Sequence, residues 1–195
     1  MNTKISSAFT ALFALALAAC SPHSSGGQRP ASGLGVLSTP PEKIAIAIGV
    51  PKALRLTTGD ASLRIAFKGR GSSSTVQMEE IAPLQFTATA AGAPKASAGE
   101  TVYVARPAAN DAARLAVVQK RIIAMRSLGR HATASLTVAI TGGCYVGTVP
   151  PTMPVSTWLL TDPADGFLQL THRADMFRAM DAESVALLRA RLRPC

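Results

Sequence analysis

Between Lys43 and Arg106 the apolar residues return every second position: Leu63, Ile65 and Phe67 alternate with Arg64, Ala66 and Lys68. A period of two puts alternate side chains on opposite faces of an extended chain, so this segment is committed to half-buried strands. The pattern returns at Val76 and Met78, at Leu84, Phe86 and Ala88, and at Val102 and Val104, while Ile44 to Ile48 is a short apolar run. GRGSSS and AAGAPKASAGE read as the turns between them, and about six strands are expected. The period then changes. From Ala108 or Asn110 to Leu128, Leu115, Val118, Ile122 and Met125 recur at steps of three and four, with Arg114, Lys120, Arg121 and Arg126 mainly off that stripe. This is a core-packing helix, with Asn110 as N-cap, Asp111 at the positive end of its dipole and Gly129 as the left-handed stop. Leu136, Val138 and Ile140 resume the strand pattern, so strand, helix and strand follow in order and predict a right-handed crossover between parallel strands.

Beyond Gly142-Gly143, Pro150, Pro151 and Pro154 punctuate the chain, followed by a strand at VSTWLLT and a short one near Phe167 to Leu170. Thr171 or Asp175 is expected to start a helical piece through Met180, and Asp181 to cap a second helix through Leu192 that turns Val185, Leu188 and Leu192 to the sheet. The expected fold class is α+β: a mostly antiparallel N-terminal sheet, one strand-helix-strand crossover and C-terminal helices packed on the sheet. A single globular domain is expected over residues 42–195, and no period of 20 to 50 residues suggests a repeat architecture.

The N-terminus obeys different rules. Lys4 precedes an uncharged stretch from Ile5 to Ala19 rich in Ala, Leu and Phe. It is shorter than the roughly 20 apolar residues that cross a bilayer and ends on small residues, so residues 1–19 read as a cleaved export signal. At the cut, Leu17-Ala18-Ala19-Cys20 resembles the lipobox of bacterial lipoproteins. The resemblance covers residues 1–20 alone. It implies that Cys20 is acylated, becomes the first residue of the mature chain and holds the protein to a membrane; with Ser21 rather than Asp next, it implies the outer membrane, facing the periplasm, in a Gram-negative cell. Residues 20–41 are rich in Gly, Pro and Ser and read as a flexible tether, spanning roughly 25 Å as a loose coil.

With Cys20 acylated, Cys144 and Cys195 remain, and in an exported chain such a pair predicts a disulfide. The alternative makes Cys144, after Gly142-Gly143, the nucleophile of a thiol hydrolase or transferase, with His131 or His172 as base and Asp162, Asp165 or Asp175 as orienter. The residues match no cysteine-hydrolase signature, and the phosphate-loop, dinucleotide, serine-hydrolase and zinc-protease motifs are absent from the folded part. No metal site and no cofactor are expected, because neither His131 nor His172 has a second His or Cys within helical reach. Glu79 and Glu80 are neighbours on a strand and point to opposite faces, which argues against an acid and base pair. Trp158, beside Leu159 and Leu160, reads as core.

The formal charge is +9, and removal of Lys4 with the signal leaves +8. In an envelope, such a charge favours anionic lipid, cell-wall polymer or an acidic partner protein over nucleic acid. Arg64, Lys68 and Arg70 share one strand face by the two-residue period, with Arg55 extending it from the preceding strand. These four are the expected anionic-partner site. The leading expectation is a non-enzymatic, membrane-anchored binding or accessory protein.

Overall fold

In the computed structural model, residues 29–30, 35–70, 75–87, 92–127 and 132–195 are described. Strand β2 (Ala45–Pro51) is apolar on both faces and buried on both: residues Ala45 to Ile48 and Val50 are all 0% exposed. It lies deep inside an eight-stranded sheet, hydrogen-bonded to two neighbours. The sheet comprises β1 (Arg29–Pro30), β2, β4 (Ala61–Arg70), β5 (Thr75–Thr87), β6 (Glu100–Pro107), β7 (Ala132–Ile140), β9 (Pro154–Leu160) and β10 (Leu168–Asp175). Its order is β1-β7-β4-β5-β6-β2-β9-β10, antiparallel at every step. A smaller sheet joins β3 (Leu54–Arg55), β8 (Gly143–Tyr145) and β11 (Leu192–Pro194).

Alternation decides the faces as expected. Leu63, Ile65 and Phe67 of β4, Ile46 and Ile48 of β2, and Leu136 of β7 turn inward into the main core. Helix α1 (Ala109–Ser127) lays Leu115, Val118 and Ile122 on that inner face. On the outer face Ala45, Ala47 and Val104 form a second cluster beneath Trp158, which is buried as expected at 8% exposure. A Cβ at Gly49 would stand 3.2 Å from the Trp158 ring, so glycine is what lets the indole lie against β2. Burial of each large apolar side chain contributes on the order of 2 kcal/mol, which makes this two-sided packing the main source of stability. The class is α+β and mostly antiparallel.

Four expectations need correction. The strands flanking α1 are not parallel: β6 and β7 stand three antiparallel steps apart, because the β4–β5 hairpin lies between them. Among the described residues between Lys43 and Arg106 there are five strands instead of about six, since β5 runs unbroken through Pro83. That proline sits where β5 changes partner from β4 to β6, a place where a missing N–H is tolerated. The segment from Thr171 to Asp175 is strand, held to β9 through Thr157, Val155 and Pro154, and only a short 3-10 turn at Phe177–Ala179 remains of the expected helical piece. Asn110 lies inside the first turn of α1, where Ala108 O accepts from Ala112 N.

The packed chain also reaches back before residue 42. Val36 is 0% exposed and Pro41 is buried, and the Gln119 side chain of α1 donates to the carbonyls of Val36 and Thr39. The second helix, α2 (Ala182–Arg191), is capped by Asp181, whose carboxylate accepts from Ser184 N, and it sends Val185 and Leu188 to the core. Cys144 on β8 and Cys195 after β11 form the expected disulfide, with Cα atoms 4.9 Å apart and a sequence separation of 51.

Replacing Cys144 and Cys195 together by Ser is expected to lower the unfolding free energy by about 4 kcal/mol on the chain-entropy account, measured by urea unfolding as a lower midpoint with a steeper slope, because the uncrosslinked denatured chain exposes more surface. The hydrogen bonds from Ser184 hold the Asp181 carboxyl below its ordinary range. A depressed folded value stabilises above the unfolded pKa of about 3.9 and is lost as pH falls through the folded value. The gap in melting temperature between wild type and Asp181→Asn should therefore be full near neutrality and close only in acid below that value.

Candidate functional site

The four expected cations do not form one face. Arg64 and Lys68 do share the outer side of β4, as the period requires. Arg64, however, bonds Glu79 of β5 at 2.6 Å, and the pair raises the affinity of Arg64 for its proton while holding Glu79 below the usual carboxylate range. Lys68 is exposed. Arg70 closes β4 opposite Thr75, and its side chain lies outside the described part. Arg55 belongs to the small sheet, paired with Cys144, and cannot extend the β4 face. Glu79 and Glu80 do point to opposite faces, each to its own arginine: Glu80 bonds Arg114 of α1 at 2.7 Å.

The stronger cationic surface is on α1. Its solvent side carries Arg114, Val117, Lys120 and Arg121, with Ile123 at the flank. Val117 is 49% and Ile123 47% exposed, a large share for such side chains. Arg114 is held by Glu80 and by Asp111 at 2.6 Å. From Ala116 to Ser127 the helix contains Lys120, Arg121 and Arg126 and no acidic residue. Arg126 favours the negative end of the helix dipole, whereas Lys120 and Arg121 lie too far from that end to serve it. Beside this surface, Ile123, Arg126 and Ser127 form a shallow groove with Gly35, Leu37 and Ser38. The cations of α1 were legible as residues off its apolar stripe; what sequence did not show was which of them meet a carboxylate. Among the described residues no helix is long and apolar enough to cross a membrane.

A cavity of about 190 Å³ lies where the ends of the curled sheet approach each other. One wall is Thr137, Val138, Ala139 and Ile140 of β7; the other includes Val155, Thr157 and Thr171 of β9 and β10, with Met176 and Met180 beyond them. The lining is mainly apolar. The polar groups of the second wall are already engaged: the hydroxyls of Thr157 and Thr171 are 2.9 Å apart, and Asp175 Oδ1 accepts from Met153 N and Phe177 N.

Behind this wall is a buried polar knot. Ser156 Oγ, 0% exposed, donates to Glu100 Oε1 at 3.0 Å and accepts from Arg173 N at 3.0 Å. Arg173 has φ of 46°, a left-handed conformation unusual for a residue with a side chain, inside the irregular stretch of β10. The knot secures that bulge. Its hydroxyl is engaged on both sides and has no solvent access, so it is suited to structure and not to nucleophilic attack.

The residues of the thiol alternative are not brought together. Cys144 is bonded to Cys195 and offers no thiolate. The Gly142-Gly143 turn has a packing reason: Gly143 has φ of 140°, and a Cβ there would stand 3.0 Å from Arg55 O. His172 is exposed and meets Gln169, while His131 and Cys20 lie outside the described residues. Among the described residues no group of three His, Cys, Asp or Glu side chains is placed to hold a metal ion. Arg189 acts as a clasp, donating to Pro150 O at 2.9 Å and lying 4.4 Å from the centre of the Phe177 ring.

Ser156→Ala would leave Glu100 Oε1 and Arg173 N without their shared partner, and such a loss costs about 1 to 3 kcal/mol. The expected readout is a lower denaturant midpoint, with faster amide exchange confined first to β10.

Searches of protein-family models, of curated proteins and of solved structures find no match to this chain.

Proposed function

We propose that this is a lipid-anchored protein of the bacterial envelope with a binding role, and that it meets an anionic membrane surface through α1. The observation that carries the reading is the outer side of α1 between Ala116 and Ser127: three cations, no carboxylate, and exposed Val117 and Ile123 among them. Cations beside apolar side chains on a helix suit an interface where headgroups are charged and the layer beneath is not. Gln119 ties α1 to Val36 and Thr39, which follow β1 on the edge of β7 in the chain that leads from Cys20. The β4 face supports the reading less, since Glu79 offsets Arg64.

Each cation near an anionic membrane contributes about 1 kcal/mol. The double variant Lys120→Ala and Arg121→Ala, in a chain beginning at Ser21, should therefore bind vesicles containing phosphatidylglycerol about 30-fold more weakly than wild type. Arg64→Ala should have little effect, and added salt should release the wild type. Equal binding by the double variant and wild type in a flotation assay would reject the surface.

A further inference from the structure

We propose that the solvent face of the small sheet is a thiol-exchange site, where the Cys144–Cys195 disulfide is opened by a small thiol that carries a negative charge. Register assembles the site. Arg55 of β3 and Arg193 of β11 are both paired with Cys144 of β8, the central strand. Residues paired across neighbouring strands share a face, so the two arginines flank Cys144, each about 5 Å from it between Cα atoms. The opposite face sends Leu54, Tyr145 and Leu192 into the core. Arg55, Arg193 and Cys195 are exposed, and Cys144 is partly buried. Solvent therefore reaches the bond between two cations.

No carboxylate side chain holds either arginine. All 11 Asp and Glu residues of the chain lie in its described part, and none of them forms an ion pair with Arg55 or Arg193. Asp60, on the turn after β3, accepts instead from Thr57 N and Thr57 Oγ1, both at 2.7 Å. Helix α2 ends at Arg191, so Arg193 lies past the turn in which a cation serves the helix dipole. Two cations aligned across one central strand repel each other, a cost that negative charge between them offsets.

Exchange supplies that negative charge twice, once on the arriving thiol and once on the departing cysteine. Access favours attack at Cys195 Sγ. The incoming thiolate bonds to Cys195 Sγ, the Cys144–Cys195 bond breaks, and Cys144 leaves with the electron pair as a thiolate, the form that neighbouring guanidinium groups favour. A second small thiolate then attacks the small-thiol sulfur of the mixed disulfide and releases Cys195 as a thiolate. Two small thiols become one small disulfide, the protein gains two electrons, and the two protons given up pass to solvent or to the new cysteine thiolates. Exposed disulfides are the ones that exchange readily, whereas a purely structural bond gains from being kept out of water. After reduction β11 remains attached through Leu192 in the core and its backbone bonds to β8. None of this requires the lipid anchor or the α1 surface.

The test uses the full oxidised chain and three thiols of similar size: mercaptoethanesulfonate, mercaptoethanol and cysteamine, which are negative, neutral and positive. Opening is followed by alkylation of Cys144, mapped by peptide mass so that Cys20 does not enter the signal. The rate per thiolate for the negative thiol, divided by that for the positive one, should be about 10-fold or more higher in wild type than in Arg55→Gln with Arg193→Gln. Comparing the two proteins cancels the intrinsic reactivity of each thiol. Arg55→Lys with Arg193→Lys should keep most of the preference, and added salt should reduce it. A ratio that the glutamine variant leaves unchanged would overturn the proposal. So would an opening rate that does not rise with thiol concentration, because the bond would then open only when the protein unfolds, as a purely structural disulfide does.

Discussion

The fold depends on one packing event: Leu115, Val118 and Ile122 of α1 against the inner face of the curled sheet, where Ile44, Ile65 and Leu136 are almost wholly excluded from water. A flat sheet of eight strands would offer one helix too little enclosure. Curling draws residues from β2, β4, β7 and β9 around the same interior, so a single helix can close it. Gln119 adds a polar bond to the apolar stripe and brings Val36 to Thr39 into the same interior. The small sheet and its disulfide close the far side with Leu54, Tyr145 and Leu192.

Curling also determines where openings occur. Adjacent strands are staggered and twisted, and a sheet that neither closes into a barrel nor stays open leaves a gap between its last strands. The cavity between β7 and β10 is that gap, and the Ser156 knot sets the shape of one of its walls by holding Arg173 in an unusual conformation. The cationic helix face belongs to a different part of the molecule's design, on the solvent side of the element whose other side makes the core. One amphipathic helix thus serves stability with one stripe and carries the surface charge proposed for membrane contact on the other.

Much of this was legible in local pattern. Two-residue alternation identified the inward residues of β4, the three-four stripe identified α1, and two cysteines in a chain read as exported implied their bond. Pairing was not legible, because alternation tells which way a side chain points and not which strand lies beside it. The antiparallel relation of β6 and β7 follows from the hairpin placed between them, and the extended state of Thr171 to Asp175 follows from β9; neither is a local property. The separation of Arg55 from the β4 cations and the pairing of Arg64 were hidden for the same reason. Sequence gave Arg64 its face, but Glu79 lies fifteen residues away and reaches it only across a hairpin.

The two-sided burial of β2 bears on how the molecule comes into being. AIAIGV is uncharged, rich in apolar residues and strand-forming, the composition of a segment that pairs readily with the wrong chain. Its correct neighbours are β6 and β9, and β9 begins at Pro154, more than a hundred residues later. During synthesis, β2 emerges long before its second partner. The β10 side of the sheet therefore forms late, in a cooperative step that waits for the final quarter of the chain, and until then β2 depends on being held apart from other unfolded chains.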